Sequence, residues 1–226
     1  MRKKTCAKNT RRKNFKKRAE INKAVELVRP LTAANIPVYA VLGNHDYAMM
    51  TRDDVKLEWL AEEVSKSLEA AGVEVLDNEA APLPLPENRA RTQGGEDGKA
   101  PLYVVGVGDK FARNDNPALA LSRVPKETPR LALMHNPDSF AVFPAGTAPL
   151  ALAGHTHGGQ IRLPFTPEWS WMSLVSADEV YADGWIDGYG QSGNRLYVNR
   201  GIGFSLVPIR INCQPEVTLF TLRRAK

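Results

Sequence analysis

Long apolar segments and cysteine pairs are the first features that this chain of 226 residues lacks. No run of about 18 apolar residues occurs, so the sequence predicts no transmembrane helix. The basic N-terminus has no apolar stretch behind it, so no secretory signal is predicted either. Cys6 and Cys213 are the only cysteines, too few for a disulfide framework and too far apart for a Cys-x-x-Cys metal site. Two separate thiols are typical of a reducing compartment, which favours a cytoplasmic location.

Acidic residues are absent from residues 1–18, which hold ten Lys or Arg. The rest of the chain therefore holds 20 basic and 25 acidic residues, so it is acidic although the whole chain has a formal net charge of +5. We predict a basic, disordered tail over residues 1–19 and one domain over residues 20–226. Such a tail can contact anionic lipid or nucleic acid. Because Phe15 is its one aromatic residue, a nucleic-acid-binding role is the least favoured hypothesis.

Helix and strand patterns alternate along the predicted domain. Apolar residues recur at helical spacing in residues 20–29 and 52–71. Residues 80–100 are rich in Pro, Gly and charge, which predicts an exposed loop, and residues 217–222 predict a last strand. Short apolar runs that look like buried strands lie at residues 37–42, 102–107, 131–134 and 149–153. The pattern predicts a single layered α/β domain.

All four histidines follow a predicted strand, and they are His45, His135, His155 and His157. Because sites in open α/β sheets form outside the carboxyl ends of strands, we expect these loops to converge on one crevice. Neutral imidazole is the commonest metal ligand in proteins, and the amide of Asn44 adds an oxygen donor. In an extended backbone, His155 and His157 would lie about 7 Å apart. That spacing favours two neighbouring metal ions over one shared ion.

Three motifs, in this order, resemble signature blocks of the calcineurin-like metallophosphoesterases. They are Gly43-Asn44-His45-Asp46, Met134-His135-Asn136-Pro137 and Gly154-His155-Thr156-His157-Gly158-Gly159-Gln160. The last motif is similar to that of a bacterial subgroup that includes phosphodiesterases and lipid A precursor hydrolases. The resemblance runs from about residue 20 to the C-terminus. It implies a layered αββα sandwich and a hydrolase that cleaves phosphodiesters or phosphomonoesters with a metal-bound hydroxide.

The resemblance also implies a role for each matching residue. Asn44, His135 and His155 resemble ligands of the second of two metal ions, and His157 resembles a ligand of the first. His45 resembles the residue that contacts the phosphate and protonates the leaving oxygen. Mn, Fe and Zn all suit mixed nitrogen and oxygen ligands, so the identity of the metal stays open.

Two blocks with which the family pattern begins, Asp-x-His and Gly-Asp-x-x-Asp, do not occur in this sequence. In the family they supply two ligands of the first metal and a carboxylate that bridges both. The chain therefore looks N-terminally shortened, with a sheet that lacks its first strands, and we expect it to bind one metal ion or none. Asp109, which follows a strand, is a candidate substitute carboxylate. The alternative is a degenerate, non-catalytic binding module.

Large apolar side chains follow the last histidine motif, at Phe165, Trp169, Trp171 and Met172. Such residues either pack over the end of the sheet or cap a lipid-like substrate at a membrane interface. A lipid-linked phosphoester substrate and peripheral membrane contact are therefore both retained as hypotheses.

Overall fold

A computed structural model describes residues 19–84, 101–164 and 182–223. The helices are α1 (residues 19–33), α2 (Glu58–Glu69) and α3 (Pro117–Ser122). The strands are β1 (Val38–Ala40), β2 (Val73–Val75), β3 (Glu79–Leu83), β4 (Leu102–Gly106), β5 (Arg130–Leu133), β6 (Ala151–Ala153), β7 (Gly184–Ile186) and β8 (Leu196–Val198). Short 3-10 turns span Pro137–Val142 and His157–Gly159. Within these ranges, no helix has both the length and the apolar character needed to cross a bilayer.

The strands form two sheets. Strands β1 and β2 pair in parallel, and the other six lie in the order β3-β4-β5-β6-β8-β7. The four central strands of the larger sheet, β4, β5, β6 and β8, are parallel, and β3 and β7 are antiparallel edge strands. Because parallel strands present their carboxyl ends at one edge, the loops that follow β4, β5 and β6 lie side by side.

The two sheets pack face to face through small and aliphatic side chains. Along β4, Val104 points into the space between the sheets beside Leu76, and Val105 points to the opposite face. The approach is closest at Gly106, where an added Cβ would lie 2.2 Å from the Cβ of Leu76 and 3.1 Å from Cγ1 of Val41. Only a residue without a side chain fits between the sheets at this point.

Helices cover the two outer faces of the paired sheets. Helices α1 and α2 pack on the β1–β2 sheet, to which α2 contributes Leu60, Val64 and Leu68. Helix α3 and the turn Pro137–Val142 close the far face of the larger sheet, where Phe140 is fully buried. The order helix, sheet, sheet, helix confirms the predicted α/β sandwich.

Local hydrogen bonds place the start of α2 later in the chain than the sequence predicts. The helix predicted over residues 52–71 begins at Glu58, so the prediction is wrong over its first six residues. The Asp54 Oδ2 atom accepts hydrogen bonds from two backbone N–H groups before it in the chain. This side chain gives the backbone a turn in place of a helix.

The structure corrects two further predictions about strands. Part of the loop predicted over residues 80–100 is strand β3, which pairs with β4, and residues 85–100 lie outside the described ranges. Residues 217–222, which are among the described residues, form no strand. The basic tail before α1 and the aromatic residues at 165–172 also lie outside the described residues, so those predictions stand as made.

Gly106→Ala should destabilise the protein by about 2–3 kcal/mol, because its methyl group would overlap Leu76 across the sheet interface. Gly203→Ala is the matched control, since an added Cβ there meets nothing within 4 Å. Urea unfolding followed by circular dichroism measures both. Equal midpoints for Gly106→Ala and wild type would contradict this view of the sheet packing.

Candidate metal centre

The loop after β1 orients the amide of Asn44. The Asp46 Oδ2 atom accepts a hydrogen bond of 2.8 Å from the Gly43 N–H and closes the loop. The Asn44 Nδ2 group donates to the Met49 carbonyl at 2.7 Å. Because the Nδ2 group is engaged in this way, the Oδ1 atom of Asn44 faces His135. The side chain of Asn44 is buried.

Three donor atoms from three loops meet at this point, and we call Asn44, His135 and His155 the donor triad. The His135 Nε2 atom lies 3.0 Å from Asn44 Oδ1 and 3.1 Å from His155 Nδ1. A single proton on Nε2 can satisfy only one of these two neighbours. The neighbour that receives no hydrogen bond from Nε2 therefore keeps a lone pair that points to the centre of the triad.

The spacing and charge of the donor triad suit a divalent cation. Two ligand atoms about 2.1 Å from one ion, at about a right angle, lie about 3.0 Å apart, close to the distances in the triad. Burial, followed by the charge of neighbouring histidines, lowers the pKa of His135 to about 3 and that of His155 to about 4. Both imidazoles are therefore neutral at pH 7, as a metal ligand must be.

The third donor of the triad is an amide oxygen, and its chemistry limits the fit. In the described ranges, no group of three or more His, Cys, Asp or Glu side chains is placed to hold a metal ion. The triad fits one cation through neutral donors, and it brings no negative charge to offset that of the metal.

Asp109 does not supply the missing charge at the triad. Its side chain is fully buried, and its Oδ1 atom accepts a hydrogen bond of 2.8 Å from the Ala112 N–H. Its Oδ2 atom has no hydrogen-bond partner among the described residues. Burial raises the pKa of Asp109 to about 6. The carboxylate closes its own loop, and the described contacts include no hydrogen bond from it to the triad.

His157 stands apart from the triad. Its Nδ1 atom is buried and has no hydrogen-bond partner in the described part of the chain. Its imidazole interacts with the backbone of Gly203, and burial lowers its pKa. It is near enough to His135 and His155 to lower the pKa of each. A second metal position would therefore have to be completed by donors other than the triad.

Left-handed backbone conformations shape the histidine turn. His155, His157 and Gln160 have φ angles of 70°, 53° and 47°. A residue other than glycine in this region costs about 1–3 kcal/mol unless its surroundings impose the conformation. The turn therefore needs stabilising contacts from outside its own sequence.

Two arginine side chains stabilise this turn. The Nε group of Arg162 donates to the Gly158 carbonyl at 2.6 Å. The guanidinium of Arg210 donates to the His157 carbonyl at 2.9 Å and to the Gly203 carbonyl at 2.6 Å. Sequence reasoning missed both residues, because neither belongs to a recognised motif and their partners are backbone carbonyls of other loops.

His45 is exposed at the rim. It lies close enough to His135, His155 and His157 to contribute to the lowering of the pKa of each. An exposed imidazole beside three half-buried ones is placed to meet a ligand that enters from solvent.

An aromatic and a cationic side chain complete the rim, and sequence reasoning missed both. The ring of Phe111 packs edge-on against His155 with 4.7 Å between ring centroids. The guanidinium of Arg52 lies 5.2 Å from the centre of the Phe111 ring and is paired with Asp138 at 2.9 Å. Arg52 thus holds a positive charge beside a site that has no charged donor of its own.

Comparison with other proteins gives several relatives. The chain is 33% identical over 197 residues to phosphodiesterase YaeI of Escherichia coli, covering 87% of this chain and 62% of that protein. It is 33% identical over 127 residues to the uncharacterized metallophosphoesterase YkuE of Bacillus subtilis, covering 54% and 41%. It is 27% identical over 234 residues to UDP-2,3-diacylglucosamine pyrophosphatase LpxG of Chlamydia muridarum, covering 89% and 69%. The chain thus spans less than two thirds of the first two relatives.

No family model matches the chain, and no solved structure matches it.

Gly43→Ala should displace the His135 ring, because an added Cβ would lie 2.7 Å from its Cε1 and Nε2 atoms. Gly154→Ala is the matched control in the same site, since its Cβ would meet nothing within 4 Å. Imidazole NMR spectra should show shifted His135 resonances in Gly43→Ala alone. Unchanged His135 resonances in that variant would contradict the close approach.

Proposed function

Because the chain belongs to the calcineurin-like metallophosphoesterase superfamily, we propose that it is a metal-dependent phosphoesterase acting on phosphodiesters or phosphomonoesters. The observation that carries this proposal is the donor triad, in which Asn44 Oδ1 and His155 Nδ1 lie 3.0 Å and 3.1 Å from His135 Nε2. A purely structural cluster would be expected to pair its donors and acceptors completely. Here two neutral imidazoles and an amide oxygen share one centre.

Each residue of the site has a role in the proposed reaction. The donor triad would hold one divalent ion, and His157 would belong to a second position. When bound, such ions neutralise charge on the phosphate and lower the pKa of a bound water. His45 reaches the phosphate from the exposed rim and holds the proton that the leaving oxygen receives. Mn, Fe and Zn all suit this donor set.

The neutral charge of the donor set lowers its affinity for a divalent ion. Binding a divalent ion through neutral ligands leaves its charge uncompensated in a partly buried site, which weakens retention. We therefore propose that the chain holds one metal ion or none under dilute conditions. Arg52, whose guanidinium is paired with Asp138 at the rim, would contact a phosphate oxygen of a bound ester.

Relatives suggest the substrate class. One of them is named a phosphodiesterase and another a UDP-2,3-diacylglucosamine pyrophosphatase. A phosphoester that carries a lipid group is therefore the finer proposal for this chain.

The competing proposal is a degenerate, non-catalytic module, which the absence of a carboxylate from the donor triad favours. Such a module would bind a phosphoester without turning it over at any concentration of Mn²⁺. Hydrolysis of bis-p-nitrophenyl phosphate that rises with added Mn²⁺ and is lost in His155→Ala would exclude it.

Substitution of Asn44, His135 or His155 by Ala should weaken Mn²⁺ affinity by more than about tenfold, because each removes one of three donors. His157→Ala is the matched control and should leave the first binding event unchanged. Isothermal titration calorimetry measures affinity and stoichiometry. Two tightly held ions per chain, or an equal loss in His157→Ala and Asn44→Ala, would contradict the assignment of the triad to one ion.

His45→Ala should leave Mn²⁺ affinity unchanged and lower kcat by about 10²–10⁴ for an alkyl phosphodiester, whose leaving oxygen needs a proton. The loss should be much smaller for a p-nitrophenyl ester, because p-nitrophenolate leaves without protonation. Steady-state rates on the two esters test this difference. An equal loss on both would assign His45 to phosphate contact alone.

A further inference from the structure

Asp109 closes the loop that follows β4, residues 109–114, here called the Asp109 loop. Its side chain is fully buried, and its Oδ1 atom accepts a hydrogen bond of 2.8 Å from the Ala112 N–H. The backbone N–H of Phe111 also interacts with this carboxylate. The Asp109 carbonyl accepts from the Asn114 N–H at 2.9 Å. The conformation of the loop therefore depends on hydrogen bonds to the side chain and the backbone of one residue.

Two contacts hold the Asp109 loop against the loops that carry Asn44 and His135. The Lys110 N–H donates at 3.0 Å to Oδ1 of Asn136, the buried residue that follows His135. The Nζ group of Lys56, which lies in the connection between β1 and α2, donates to the Ala112 carbonyl at 3.0 Å. The position of the loop is therefore set relative to two members of the donor triad.

Phe111, in the middle of the Asp109 loop, contacts the third member of the triad. Its ring meets the His155 ring at an angle of 71°, with 4.7 Å between centroids. The His155 ring meets the His135 ring in a similar way, at 72° and 4.9 Å. Edge-to-face contacts depend on the orientation of both rings. Packing against Phe111 therefore helps to hold His155 Nδ1 at 3.1 Å from His135 Nε2.

We propose that Asp109 is a positioning residue of the donor triad, because its carboxylate forms the turn that places Phe111 against His155. This role differs from the substitute metal ligand that the sequence suggested for Asp109. The effect on metal affinity rests on the proposed function. The placement of the His155 ring can be measured without any metal.

NMR spectra of the imidazole groups in the metal-free protein test the placement. Asp109→Ala removes the acceptor of the turn but keeps the Phe111 ring, so shifted His155 resonances would report a displaced ring. Asp109→Asn keeps an oxygen that can accept from the Ala112 N–H and removes the negative charge. We expect shifted His155 resonances in Asp109→Ala and resonances close to those of wild type in Asp109→Asn.

Isothermal titration calorimetry with Mn²⁺ tests the consequence for the triad. Asp109→Ala should lower the affinity about tenfold, as loss of a residue that orients a ligand does, and Asp109→Asn should bind as wild type does. Phe111→Leu should lose about as much as Asp109→Ala. The double variant Asp109→Ala/Phe111→Leu should lose no more than the weaker of the two, because both changes remove the same contact.

Asn116→Ala is the matched control in the same connection between β4 and α3. Its side chain accepts a hydrogen bond of 3.0 Å from the Leu119 N–H at the start of α3. Its loss should leave the His155 resonances and the Mn²⁺ affinity unchanged. A wild-type protein that binds no Mn²⁺ would contradict the proposed function, and the NMR comparison would still decide the placement of His155.

Three results would overturn the proposal. One is a folded Asp109→Ala variant with the His155 resonances of wild type. Another is an equal loss of Mn²⁺ affinity in Asp109→Asn and Asp109→Ala, which would make the negative charge itself the contribution. The third is an equal loss in Asn116→Ala. If Asp109→Ala does not fold, Phe111→Leu decides, since unchanged Mn²⁺ affinity there would show that the ring does not position His155.

Discussion

The contact between the two sheets at Gly106 is the constraint on which the rest of the molecule depends. There the β1–β2 sheet approaches the larger sheet closely enough to bring Leu76 and Val41 against β4. This approach places the loop after β1 beside the loops after β5 and β6. Asn44 lies in the loop that follows β1 of the smaller sheet, and His135 lies in the loop that follows β5 of the larger one. The donor triad is therefore a direct product of sheet packing.

A second constraint is the strain in the histidine turn. His155 and His157 adopt left-handed conformations that side chains ordinarily avoid. Arg162 and Arg210 offset that cost through hydrogen bonds to carbonyls of the turn. Because Arg210 also donates to the Gly203 carbonyl, the same guanidinium joins the histidine turn to the loop at residues 201–211.

The electrostatics of the site are unusual for a centre that holds a divalent ion. Its donors are neutral, and the cation Arg52 at the rim lies over Phe111 and is paired with Asp138. An anionic phosphoester would supply the negative charge that the triad lacks. Metal and substrate would then bind more tightly together than apart, as reciprocal coupling between two ligands requires.

The sequence by itself determined the layered α/β fold and the placement of every histidine after a strand, because apolar periodicity and the Gly-His-Thr-His-Gly-Gly-Gln motif are local signals. It misplaced the start of α2, where the Asp54 side chain forms a turn. It also gave no sign of Arg52, Phe111 or Arg210. Only the tertiary structure decided which side chains meet, since those contacts join residues far apart in the chain and depend on the closeness of two sheets.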